Sequence, residues 1–157
     1  MCSTQKAATL LAFIILLALA CKNEPTTKAA DRTNGYTKDL KSKQDSLFQE
    51  VMDGHDVAMA KMGQISGYLK NLKSSIDSAR NQKGADKQKI AIMESISADL
   101  NQADFSMNRW MEEFKLDSAE NNEPVRIAYL ESERDKVNKI KERVLNSVKR
   151  ADSLYGK

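Results

Sequence analysis

From Thr37 to the end of the chain, apolar residues recur at alternating steps of three and four, interrupted only by two short polar breaks. That spacing places one apolar stripe along each of three helices and is incompatible with the two-residue alternation of strands. The first stripe is Phe48, Val51, His55, Ala58, Met62, Ile65, Leu69, Leu72 and Ile76. The second is Met93, Ile96, Leu100, Ala103, Met107, Trp110 and Phe114, and the third is Leu130, Val137, Ile140, Val144, Ala151 and Leu154. Three such seams need one another as partners, in the manner of coiled-coil faces.

The punctuation separates the same three helices. Asn81-Gln82-Lys83-Gly84 supplies a stop, Asp86 a cap for the next start, and Asp117 to Glu123 a polar break before Pro124 in a first turn. Short connections make successive helices antiparallel neighbours. The expected fold is therefore all-α, an elongated up-down-up three-helix bundle over residues 37–157 with helices of roughly 45 to 65 Å at about 1.5 Å per residue. The first helix is expected to overhang the others at its polar start, Lys38 to Ser46. Such a bundle is large enough to bury its own core as a monomer, although the seams leave pairing with a second copy or a partner open.

Ahead of the bundle the composition changes twice. Residues 1–20 contain one charge, Lys6, followed by an apolar run from Ala7 to Ala20 that ends in Leu17-Ala18-Leu19-Ala20-Cys21. A charged start, a short apolar run and small residues before a cysteine have the layout of a bacterial lipoprotein signal. The run is shorter than the roughly 20 residues that a membrane span needs. Cleavage would leave Cys21 as the first residue, its thiol carrying a lipid, and acyl chains at about 0.8 kcal/mol per buried methylene would hold the protein on a bilayer. Residues 21–36 are polar with Pro25 and Gly35, the composition of a flexible tether. The absence of Asp directly after Cys21 favours the outer membrane by analogy with other bacteria, and Lys22-Asn23-Glu24 partly matches a surface-export signal.

Cys2 leaves with the signal and Cys21 is blocked by lipid, so the mature chain is expected to fold without a disulfide. The formal net charge is +3, with 25 basic and 22 acidic residues interspersed rather than in blocks. Nothing in that balance is a nucleic-acid footprint.

His55, the only histidine, stands on an apolar seam and needs a polar partner. Folding the chain at its two breaks brings His55 level with Trp110, Glu131 and Arg134, which predicts a buried polar layer that sets helix register. A sharper reading is metal. His55, Met59 and Met62 share one helical face, and Met107 and Met111 should approach from the second helix. Imidazole with thioethers suits Cu(I), although methionine is equally a flexible core filler. Gly54, Gly63 and Gly67 each cost about 1 kcal/mol relative to alanine inside a helix, and Gly63 to Gly67 is expected to let another helix approach closely, as a groove for aromatic or methionine side chains, with a bend as the alternative.

No glycine-rich phosphate loop or nucleophile elbow is present, and one histidine without a nucleophile partner does not make a catalytic set. The chain is expected not to be an enzyme and to carry no cofactor. Its C-terminus, Leu154-Tyr155-Gly156-Lys157, resembles that of the murein lipoprotein, which implies Lys157 as a point of attachment to peptidoglycan.

The segments Glu50 to Met62, Ala103 to Phe114 and Ala128 to Val144 resemble the small Bacteroidetes lipoproteins labelled viral A-type inclusion protein. The matching positions are Val51-Met52, His55-Asp56, Met59, Lys61-Met62 and Trp110-Met111. Ala60 stands where that family usually has proline. The resemblance implies a helical envelope lipoprotein and brings no activity with it. The expectation is thus a membrane-anchored envelope lipoprotein acting as a structural or protein-interaction module, with a periplasmic copper-binding lipoprotein as the alternative.

Overall fold

The computed structural model describes residues 40–156 and the backbone of residues 32–33 and 36–37. Three helices, α1 (Lys43–Arg80), α2 (Lys87–Glu113) and α3 (Glu123–Tyr155), pack each against the other two. The protein is an all-α three-helix bundle. The remaining regular structure among the described residues is a two-residue ladder between Arg32–Thr33 and Tyr36–Thr37.

Each helix begins where a side chain satisfies backbone donors that would otherwise lack partners. Ser42 accepts from the backbone of Asp45 at 3.1 Å, Asp86 from Gln88 and Lys89 at 3.0 Å, and Asn122 from Val125 at 3.3 Å. Pro124 sits in the first turn of α3, where its missing N–H is no loss. The expected polar overhang of α1 is shorter than its sequence suggests, because Ser42 is extended at φ −130° and starts the helix after Leu40 and Lys41. Gly84, at φ +79°, turns the chain between α1 and α2. With 38, 27 and 33 residues, the helices run about 57, 40 and 50 Å. The middle one falls short of expectation because Phe114 leaves the helical region.

The core has a period of seven. Val51, Ala58, Ile65 and Leu72 are fully buried on α1, facing Leu100, Ala103 and Met107 of α2 and Leu130, Val137, Val144 and Ala151 of α3. Register between α1 and α3 is fixed at two levels. Near the start, Gly54 brings the backbone of α1 so close to α3 that a β-carbon there would lie 3.0 Å from Cγ1 of Val137. Near the end, Asp152 accepts hydrogen bonds from the Tyr68 hydroxyl and, at 3.1 Å, from Gln64 Nε2, while the Tyr68 ring stacks on Tyr155.

Gly63 and Gly67 behave differently. A β-carbon at either would meet nothing within 4 Å, so the expected groove between Gly63 and Gly67 does not receive a helix of the bundle. The close approach is at Gly54 instead, where the heptad turns the backbone inward.

Candidate functional site

The site that the sequence singled out lies around His55, the residue next to Gly54, where α1 comes close to α3. The His55 ring is half-buried, with its centroid 5.7 Å from that of Trp110 and its plane tilted by 40°. Its Nδ1 is 2.8 Å from Oδ1 of the adjacent Asp56, a carboxylate half in solvent. Burial holds the His55 pKa below its usual value, because the charged imidazolium loses hydration there. Solvent around Asp56 screens the opposing attraction, so desolvation prevails.

Trp110 is buried, and its indole Nε1 donates to Oε2 of Glu133 at 2.9 Å. The other carboxylate oxygen of Glu133 accepts from Lys136 Nζ at 2.7 Å. Lys136 reaches out to solvent along α3, and the bond to Glu133 raises its pKa against the opposing effect of burial. The Glu133 side chain is 6% exposed, so both oxygens must be satisfied from within the bundle, and both are. Among the described residues no buried side-chain polar atom lacks a partner.

The charged member of this layer is therefore Glu133, and neither Glu131 nor Arg134 belongs to it. Glu131 lies at the surface and pairs with Lys43 at 2.7 Å. Arg134 reaches outward to Asp135 at 3.0 Å and to Glu50 at 3.5 Å. The difference is one of helical phase. Counting back by sevens from the half-buried Leu154 and Ile140 passes through Ser147, Glu133 and Arg126, and these are the buried polar residues of the core. They were absent from the sequence-predicted seam because a search for apolar side chains skips them, whereas the heptad alone would have found them.

An aromatic stack continues from this layer to the end of the bundle. The rings of Trp110 and Phe114 are 4.8 Å apart, and Phe114 faces Phe48 at 6.5 Å and Tyr129 at 6.1 Å. Such offset pairs add about 0.5 to 1.5 kcal/mol each beyond the area that they bury. The stack, the Trp110 to Glu133 bond and Gly54 together lock the three helices at one level.

The five residues of the metal reading are divided among three environments. Met107 is fully buried in the core, Met62 and Met111 pack against its flank together with the half-buried His55, and Met59 is 36% exposed. Among the described residues no group of three or more His, Cys, Asp or Glu side chains gathers at metal-binding range. Cys21 and Lys157 lie outside the described residues. A surface groove of about 550 Å³ between α1 and α2 is lined by Leu69, Ile76, Ala98 and Asn101 and bridged by Arg80 and Glu94 at 2.6 Å. None of the site residues opens onto it. No helix among the described residues is long and apolar enough to cross a membrane. No family model matches the chain, and no curated protein and no solved structure matches it.

Proposed function

We propose that the chain is an envelope lipoprotein, held on a membrane through acylated Cys21, whose bundle serves as a non-catalytic structural or protein-interaction module. The observation that carries this reading is Leu17-Ala18-Leu19-Ala20-Cys21 at the end of a short apolar run, joined by a polar tether to a bundle with its own core. The lipid supplies attachment and the helices supply a rigid body. Of the polar residues of the core, Glu133 bonds from helix to helix, Arg126 from helix to loop and Ser147 within α3, and the first two have the pattern of groups that specify packing. The outer membrane is the expected location, on its periplasmic face or at the cell surface.

The experiment is expression of the full chain in a bacterial host fed a labelled fatty acid, beside Cys21→Ser. Wild type is expected to incorporate label, lose residues 1–20 and fractionate with membranes, while Cys21→Ser incorporates none. An unlabelled, uncleaved wild-type chain would overturn the reading. Crosslinking in intact cells then distinguishes a module with a protein partner from one that acts alone.

A further inference from the structure

The chain enters the bundle at the end where α2 stops and α3 begins. Phe48 of α1 faces Phe114 at the close of α2, Phe114 faces Tyr129 of α3, and Lys43 pairs with Glu131, so three helix ends share this base. Three large apolar side chains stand out from it. Leu40, two residues before the α1 cap, is 51% exposed; Leu116, two residues after the α2 cap, is 57% exposed; Val125, in the first turn of α3, is 52% exposed. Toward the opposite end the exposed large apolar residues among the described residues are Ile92, in the second turn of α2, and Tyr155, which is already stacked on Tyr68.

The connection that presents Leu116 is braced from both sides. The Tyr129 hydroxyl accepts from the Lys115 backbone at 2.7 Å, and the buried Arg126 donates to the Ser118 carbonyl at 2.8 Å. Ala119 turns the chain at φ 56°, a conformation costly for a side chain other than glycine, and accepts from the Asn122 backbone at 3.0 Å. A braced connection thus holds a leucine in water at the same end of the bundle as an exposed valine, and the fold gains nothing from that exposure.

We propose that this base docks on the lipid bilayer, with Leu40, Leu116 and Val125 entering the boundary between headgroups and acyl chains. The proposal rests on the lipid-anchor reading, because three side chains alone form a weak contact. Residues 22–39 reach at most about 60 Å when extended. A short tether of that kind gives the base an effective concentration on the order of millimolar at the membrane, enough to populate a weak dock. Charge contributes little. Lys41, Lys43 and Lys115 are offset at this end by Asp117, Glu120 and Glu123, and Lys43 is already paired. The dock is therefore apolar and insensitive to salt, unlike a polybasic one.

The test uses the full, acylated chain in vesicles of phosphatidylethanolamine and phosphatidylglycerol that contain spin-labelled lipid. Leu116→Cys, Val125→Cys and, from the side of α2, Phe105→Cys each carry a fluorophore on the sole free thiol, since Cys21 is blocked. Quenching by lipid is expected to be several-fold stronger at 116 and 125 than at 105, in low and high salt alike. Equal quenching at all three overturns the dock while a measured acyl mass on Cys21 leaves the anchor standing. No acyl mass on Cys21 overturns the anchor, and the dock with it. In a second variant, Leu116→Ser with Val125→Ser, an unchanged melting curve is expected with several-fold faster proteolysis within residues 117–123 on vesicles but not in detergent. Equal proteolysis of wild type and variant on vesicles overturns the dock.

Discussion

The indole of Trp110 and the carboxylate of Glu133 meet inside the bundle at 2.9 Å, tying α2 to α3 through a side chain that is almost wholly out of water. A hydrogen bond to a charged acceptor contributes about 1.5 to 3 kcal/mol. Trp110→Phe keeps most of the ring and removes the donor, leaving Glu133 with Lys136 alone. It is expected to lower stability by about 2 kcal/mol in urea unfolding. Glu133→Gln alone, and the double variant, complete a cycle whose coupling should fall in the range of about 0.5 to 3 kcal/mol for directly bonded pairs. Additive effects would mean that the pair does not fix the helices.

The three glycines of α1 should divide by environment, not by propensity. At Gly63 and Gly67 a methyl group meets open space, so alanine recovers up to about 1 kcal/mol of helix stability at each. At Gly54 the methyl would press on Val137 Cγ1 at 3.0 Å, within a fully buried contact. Overpacking of that kind costs about 1 to 3 kcal/mol and should cancel or exceed the propensity gain. Thermal unfolding of the three single variants measures this. Equal stabilisation by all three would mean that α1 and α3 are not so close.

Much of the fold was legible because coiled-coil packing writes itself into sequence as a repeat. The seams, the Asp86 cap, the Pro124 start and the proximity of His55 to Trp110 all follow from heptad phase and short connections. The partner of Trp110 did not follow, because Glu131, Glu133 and Arg134 lie within one turn and a count across two loops does not resolve a single residue. The heptad of Ile140 and Leu154, continued through Ser147 to Glu133, does resolve it. The glycines were misread for a related reason. Sequence spacing reveals which residues share a face, but the neighbour that a face meets is a property of tertiary packing.

Acidification should weaken the fold through His55. Its pKa is lowered in the folded protein by burial, so between that value and the ordinary 6.5 the unfolded chain binds more protons. Stability from this group is present above 6.5 and is lost as the pH falls through the folded value. The groups about the ring are Asp56 on its own helix and Trp110 from α2. Carboxylates elsewhere also titrate in acid, so the informative quantity is the difference between wild type and His55→Gln. Urea unfolding at pH 7.5 and at pH 5.5 should show a smaller loss in the variant. An equal loss would place the sensitivity elsewhere.

Copper provides the last prediction, because His55 with Met59, Met62, Met107 and Met111 forms a ligand set in composition. Thioethers and imidazole bind Cu(I) when they converge on one point. In the fold Met107 is sealed in the core, Met59 faces solvent at 36% exposure, and His55 Nδ1 is engaged by Asp56. Drawing Met107 outward would open a cavity where the core is fully packed, at about 2 to 5 kcal/mol for a side chain of that size. Titration of the folded protein with Cu(I) against a competing chelator is expected to give no one-to-one complex and no rise in melting temperature. A ligand present at about 100 times its Kd and bound by the native state alone would add about 2.7 kcal/mol and raise that temperature visibly. Such a rise, abolished in both His55→Ala and Met59→Ala, would replace a register-setting role for this layer with a metal-handling one.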